Sequence, residues 1–216
     1  MKKFLICLGA LLVTALLTAY VFRAELGERY DAFLTNDMFV GAEHANSAHG
    51  PAIGSSFPGL QATYQGRRVT LLNEFAGPNG TLLVALRSVD WCPYCKRQLL
   101  HLQEYLPFFH AAGIGVVVVT YDAPATQASF IERFGISIPL LSDDSGLTFR
   151  TLGILDEQYE PGDPEYGIPT PGMIVVDADS RVVGKLFLDD YSQRVDSSSA
   201  LAYARAELGL KPPFGS

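Results

Sequence analysis

Two of the chain's three cysteines stand two residues apart, in Trp91-Cys92-Pro93-Tyr94-Cys95. That spacing suits a pair of sulfurs that form and break one disulfide, and it also supplies half of a four-ligand metal site. The surroundings favour redox chemistry. Residues 81–87 (TLLVALR) are a continuous apolar run of strand length, and after the motif Leu99, Leu102, Leu106 and Phe109 recur at helical spacing. Cys92 therefore follows a buried strand and stands at the start of a helix. Pro93 takes the first helical position, where a missing N–H costs nothing. A helix amino end offers unpaired N–H groups and partial positive charge, and Lys96 and Arg97 add cationic charge close by. These conditions lower a thiol pKa from ~8.5 towards neutrality. Cys92 is then the expected nucleophile, and Cys95, one helical turn on, the thiol that resolves a mixed disulfide. Trp91 and Tyr94 flank the pair as aromatics able to shape a docking surface, and Asp90 is a candidate proton acceptor.

Two other readings of the pair stay open. A copper or zinc carrier would need two further ligands, and the domain has no second Cys-x-x-Cys and no His-x₃₋₅-His; His101 and His110 lie nine apart on the following helix. A structural disulfide would close a loop of only one helical turn. His44 and His49, five apart, read as linker residues for want of a third ligand.

The elements that must position the cysteines alternate along the chain. Gly113 ends the first helix, and residues 115–121 (GVVVVTY) form a second buried strand. Pro124 opens a helix towards Phe134 that Gly135 stops, residues 138–143 form a short extended piece, and residues 145–153 a short helix. Residues 172–188 read as two strands around an Asp-Ala-Asp-Ser turn, and Asp196 caps a closing helix from about 197 to 208. Strand-helix-strand followed by a hairpin and a final helix predicts an α/β layered domain with a mixed sheet.

At this point the sequence resembles the thioredoxin fold, and within it the redoxin branch that includes alkyl hydroperoxide reductase and thiol-specific antioxidant proteins. The likeness covers about residues 53 to 195. It rests on residues 53–77 (IGSSFPGLQATYQGRRVTLLNEFAG), residues 81–95 (TLLVALRSVDWCPYC), residues 140–154 (LLSDDSGLTFRTLGI) and residues 171–183 (PGMIVVDADSRVV), in that order. It implies a thioredoxin-like fold with a mixed central sheet flanked by helices, and a cis-proline loop facing the cysteines. Thr170–Pro171 is the candidate bond and Pro169 the alternative; Trp91, Pro93, Tyr94, Thr170 and Pro171 would then contact the substrate. Peroxiredoxins of this branch carry Pro-x-x-x-Thr/Ser-x-x-Cys and an arginine that holds peroxide. Here Val89 stands three before Cys92, Ala85 seven before and Ser88 four before, out of register; Arg87 and Arg150 are the arginines able to take that part. The expectation is a thiol–disulfide oxidoreductase, with an antioxidant peroxidase using the same cysteines as the alternative. No bound cofactor or metal is called for, and the partner would be a thiol or disulfide protein or a small peroxide.

The amino end bears on compartment. Residues 4–22 run 19 positions without a charge after Met1-Lys2-Lys3, long enough to cross the hydrocarbon core of a bilayer as a helix. The basic residues precede it, which predicts an uncleaved signal-anchor with the remainder extracytoplasmic, on the periplasmic side. A cleaved signal peptide fits less well, since cutting after Ala19 or Ala24 leaves Leu17 or Phe22 three residues upstream. Cys7 falls inside this run as an apolar filler. The expected layout is a transmembrane segment at 1–26, a tether at 27–52 and a thioredoxin-like domain at 53–216. Beyond residue 26 the chain carries 13 basic against 22 acidic residues and no cationic run, so nothing points to nucleic acid.

Overall fold

The computed structural model describes Thr14, residues 18–20 and residues 22–211, in two compact units, Met1–Asn36 and Asp37–Ser216. Within the first, helix α1 (Arg23–Leu34) ends at Thr35, whose N–H and hydroxyl both bond the Asp31 carbonyl at 3.0 and 2.7 Å. No helix among the described residues is long and apolar enough to cross a membrane. Most of the apolar run expected to do so lies outside the described residues, as do Lys2, Lys3 and Cys7.

The second unit is built on a seven-stranded mixed sheet. Its strands are β2 (Ala62–Tyr64), β3 (Arg67–Val69), β4 (Gly80–Leu86), β5 (Ile114–Thr120), β6 (Leu140–Ser142), β7 (Gly172–Asp177) and β8 (Val182–Phe187), in the order β3-β2-β6-β5-β4-β7-β8. β4, β5 and β6 run parallel; β7 lies antiparallel to β4 from Gly80↔Asp177 to Ala85↔Gly172, and the hairpins at the two edges are antiparallel. A separate parallel pair joins β1 (Phe39–Val40) to β9 (Arg194–Val195).

Period-two alternation divides the core. Leu82, Val84 and Leu86 face one layer, where α2 (Pro93–Ala111) contributes Leu99, Leu102, Leu106 and Phe109 and α5 (Ser197–Glu207) contributes Ala200 and Ala204. Leu83 and Ala85 face the other, against Phe149 and Leu152 of α4 (Leu147–Leu152) and Phe187. All seven residues of β4 are buried, as a strand covered on both faces requires. Helix α3 (Pro124–Phe134) stops at Gly135, whose φ of +64° is a left-handed cap that glycine adopts without strain.

The tether expected at 27–52 needs correction. Its first residues belong to α1, and from Asp37 onward the chain is part of the compact unit. Met38 is buried, β1 pairs with β9, and Asn46 bridges Phe187 through bonds of 2.8 and 3.0 Å in the two directions. The apolar patch of Met38, Phe39 and Val40 is short, and its pairing partner lies far along the chain, so no local period reveals it.

Candidate active site

β4 delivers the chain to the site, and a buried carboxylate fixes its path. Asp122, just beyond β5, accepts from the Ser88 hydroxyl at 2.5 Å, the Val89 N–H at 2.8 Å and the Thr120 hydroxyl at 2.7 Å. The Ser88 oxygen in turn accepts from the N–H groups of Asp90 at 2.9 Å and Trp91 at 3.3 Å. β4 and β5 are parallel neighbours, which is why two residues 34 apart in sequence meet at their carboxyl ends. The turn that presents Cys92 is thereby held by hydrogen bonds to both its backbone and a side chain.

Cys92 is the N-cap of α2. Its backbone is extended (φ −93°, ψ 103°), Pro93 follows as expected, and its Sγ accepts from the Cys95 N–H at 3.3 Å. Sulfur here occupies the position that a serine or aspartate oxygen takes in an ordinary cap, at the positive end of the helix. Cys92 and Cys95 are joined as a disulfide, with Cα atoms 5.3 Å apart. Cys92 is 4% exposed and Cys95 fully buried, so the first cysteine is the one nearer solvent. Trp91 beside it is 51% exposed, and the half-buried Tyr94 meets the exposed Tyr191 edge-on, ring centroids 6.1 Å apart. Asp90 is exposed and joins the site through its backbone N–H.

The cation that reaches the sulfurs comes from Arg194 in β9, which sequence reading passed over. Its Nη2 lies 3.5 Å from Cys95 Sγ, while Nη1 donates to the carbonyls of Tyr191 and Gln193 at 2.6 Å each. The guanidinium carbon sits 5.9 Å from the Tyr94 ring centre. Burial, followed by repulsion from Arg87, pushes Arg194 down to about 10, against the opposing pull of Tyr94 and Asp190, so it stays charged at neutral pH. Nothing in "SQRVDSS" marks this arginine; only its place across β9 does. Lys96 and Arg97 were expected to be the nearby cations, but Arg97 projects as an exposed residue of the helix. Arg87 is committed to Asp156 at 2.7 Å, and Arg150 to the Tyr166 hydroxyl at 2.5 Å.

The proline loop also differs from expectation. No cis peptide bond occurs among the described residues, so Thr170–Pro171 and Ile168–Pro169 are both trans. The loop is pulled straight by pairing with the segment after α4: Asp156 N–H donates to Ile168 O at 2.9 Å, Thr170 N–H to Ile154 O at 2.7 Å, and Pro169 bridges Leu155. An extended, paired segment takes the trans bond that X-Pro prefers by about 0.5–1 kcal/mol. The Thr170 N–H is therefore already engaged. Pro171 is buried and lines, with Gln98, Arg194 and Val195, a cavity of about 10 Å³. Gln98 Oε1 and Arg194 Nε, both buried, have no hydrogen-bond partner among the described residues. His44 lies beside Glu43 and His49 against Phe187, and among the described residues no three His, Cys, Asp or Glu side chains gather as a metal site would need.

Comparison with known proteins gives the family and the fold. Residues 53–185 match the AhpC/TSA family. A Mycobacterium tuberculosis protein named as a peroxiredoxin is 29% identical over 122 residues, 56% of this chain and 69% of that one. The thiol-disulfide oxidoreductase ResA of Geobacillus thermodenitrificans is 22% identical over 151 residues, 68% of this chain and 78% of its own. Among solved structures, peroxidoxin BcpB from M. tuberculosis superposes with a TM-score of 0.59 at 20% identity, covering 73% of this chain and 96% of that one. A thiol peroxidase from Chromobacterium violaceum gives 0.59 at 25% identity, with 73% and 87% covered. The fold is the thioredoxin-like peroxiredoxin fold, and the chain belongs to the AhpC/TSA family of thiol-dependent oxidoreductases.

Proposed function

We propose that the chain is a thiol–disulfide oxidoreductase in which Cys92 attacks and Cys95 resolves, held at a membrane by its amino-terminal segment with the catalytic unit on the extracytoplasmic, periplasmic side. The observation that carries the chemistry is the N-cap geometry. The sulfur nearer solvent accepts an N–H at the positive end of α2, and the second sulfur lies one turn below it, fully buried. A thiolate in that position is stabilised and is the nearer of the two to solvent, and its partner is placed to displace a bound substrate sulfur. Exposed Trp91, with Pro93 and Tyr94, forms the surface that a protein disulfide would meet. Thr170 and Pro171 take part as the adjoining wall, with the Thr170 N–H spent on Ile154.

Peroxide reduction is the second reading, and the names of the relatives speak for it. The residues before Cys92 speak against it. Val89, at the position of the peroxidase hydroxyl, is an apolar core residue. The Ser88 hydroxyl spends its one hydrogen on Asp122 and accepts two backbone N–H groups, leaving nothing to orient a peroxide.

Turnover of a protein disulfide by the full chain tests the reading. Cys92→Ser is expected to abolish exchange, and Cys95→Ser to accumulate a mixed disulfide between Cys92 and the substrate, visible by mass spectrometry. Exchange that survives in Cys92→Ser would overturn the assignment. Oxidation of the reduced pair by hydrogen peroxide far faster than a free thiolate reacts would move the chain to the peroxidase reading. Labelling of Cys92 by a membrane-impermeant thiol reagent in cells with a permeabilised outer membrane tests the location; protection until the inner membrane is lysed would refute it.

A further inference from the structure

The mechanism above gives Cys92 its charge stabilisation but leaves open how Cys95 loses its proton. Thiol attack requires thiolate, and Cys95 is fully buried, an environment that raises a thiol pKa in the absence of a nearby charge. No carboxylate bonds either sulfur among the described residues: Asp90 is exposed, Asp122 is spent on the turn, and Asp156 is paired to Arg87.

Arg194 is the complementary puzzle. Its side chain is 4% exposed, it makes no ion pair among the described residues, and its hydrogen bonds go to two carbonyls and to Cys95 Sγ. Asp190 pulls on it from beyond ion-pair distance, and a buried guanidinium with no anion in contact is costly. The atom it donates to that can become that anion is the Cys95 sulfur, 3.5 Å away. The two carbonyl bonds aim the fork from the segment just before β9, and the Tyr94 ring packs against it.

We propose that Arg194 is the counter-charge of Cys95: once the pair is opened, the guanidinium holds Cys95 as a thiolate and so generates the resolving nucleophile without a carboxylate base. The proposal rests on the dithiol reading. The Cys92 thiolate attacks a protein disulfide, forms a Cys92–substrate bond and releases one substrate sulfur as thiolate. Cys95, its proton already given to solvent, then attacks Cys92 Sγ. The Cys92–substrate bond breaks, the Cys92–Cys95 bond forms, and the second substrate sulfur leaves as thiolate. The substrate gains two electrons and the pair loses two. The charged and titratable groups around this guanidinium and its sulfur are Cys92 at the N-cap and Tyr94 on α2, Arg87 after β4 with its partner Asp156, and Asp190 on the segment running into β9. Of these and Arg194 itself, only Arg194 is a cation in contact with the sulfur.

The test uses the full chain, in detergent, with Cys7→Ser and Cys92→Ser so that Cys95 is the single thiol. Its ionisation is followed by the ultraviolet absorbance of the thiolate as pH is raised. With Arg194 present, Cys95 is expected to ionise below the ordinary thiol value of ~8.5 despite its burial. Arg194→Gln should cut the thiolate fraction at neutral pH about tenfold or more, and Arg194→Lys should restore most of it. A purely structural role would be damaged by both replacements alike. In the intact pair, the same loss of thiolate makes the Gln variant more reducing by about 30 mV per tenfold. A parent Cys95 that titrates at or above ~8.5, or a Gln curve that overlays the parent, overturns the proposal, and the first result needs no replacement at residue 194. Exchange activity of the single variant Cys92→Ser is read separately. If it persists, the dithiol reading fails; if it is lost while the Cys95 titration ignores residue 194, only the role of Arg194 fails.

Discussion

The Ser88 hydroxyl donates to Asp122 Oδ1 at 2.5 Å, joining the end of β4 to the end of β5 immediately ahead of the cysteines. Asp122→Ala would leave the Ser88 and Thr120 hydroxyls and the Val89 N–H without their acceptor in a buried place. The expected loss is about 3 kcal/mol or more in urea unfolding, with exchange activity falling further than stability alone accounts for. Asp122→Asn retains one carbonyl oxygen and should cost less than Ala. Equal losses in the two variants would show that the carboxylate does not organise the turn.

Arg87 and Asp156 form the buried ion pair behind the site, at 2.7 Å with side chains 14% and 6% exposed. Removing the acid alone by Asp156→Ala strands a guanidinium and should cost about 3–5 kcal/mol. Replacing both, by Arg87→Met with Asp156→Leu, should recover much of that. A double-mutant cycle on unfolding free energies reads the coupling directly, and additive losses would deny it.

Lys185 on β8 is buried, with its ammonium offered, among the described residues, only the Gly50 carbonyl at 3.4 Å, and burial pushes its pKa below the ordinary amine value. The unfolded chain therefore binds the extra proton between the two values, so stability rises with pH as Lys185 discharges, up to about 10.4. Lys185→Met should raise stability at neutral pH and flatten the alkaline rise. Thermal melts of the two proteins across that window decide it; parallel curves would rule out this lysine as the cause.

The boundary of the compact unit gives a fourth outcome. A fragment beginning at Asp37 should fold and exchange disulfides. One beginning at Ile53 loses buried Met38, the Arg194 N–H bond to Met38 O at 2.8 Å and the Asp196 N–H bond to Val40 O at 2.9 Å. It should be less stable by about 3 kcal/mol or more, measured by urea titration, and slower in exchange. Equal stability of the two fragments would place the boundary at 53 after all.

What was legible in the sequence was local. The apolar run at 81–87, the stripe from Leu99 to Phe109, the stop at Gly135 and the cap at Asp196 each follow from neighbours within a few positions, and each stands where expected. The cysteine pair was legible for the same reason, since strand end, N-cap and Pro93 are contiguous. Arg194 was not, because it meets Cys95 across 99 residues and through a two-residue strand that carries no period of its own. Asp122 was hidden likewise: "TYDAP" reads as an ordinary turn until β5 is set parallel to β4. Thr170–Pro171 was misjudged because the pairing of its loop with Ile154 and Asp156 is tertiary, and it is that pairing which draws the bond straight.

β9 lies outside the seven-stranded sheet and pairs only with β1, two residues against two. So small a ladder is the part of the domain expected to open with the smallest free energy, while the central strands hold. Hydrogen exchange at the Arg194 and Asp196 amides should accordingly outpace that of β4 and β5, and each such opening draws the guanidinium away from Cys95. Electrostatic control of the buried sulfur would then be set by a local breathing motion, with a rate independent of global unfolding.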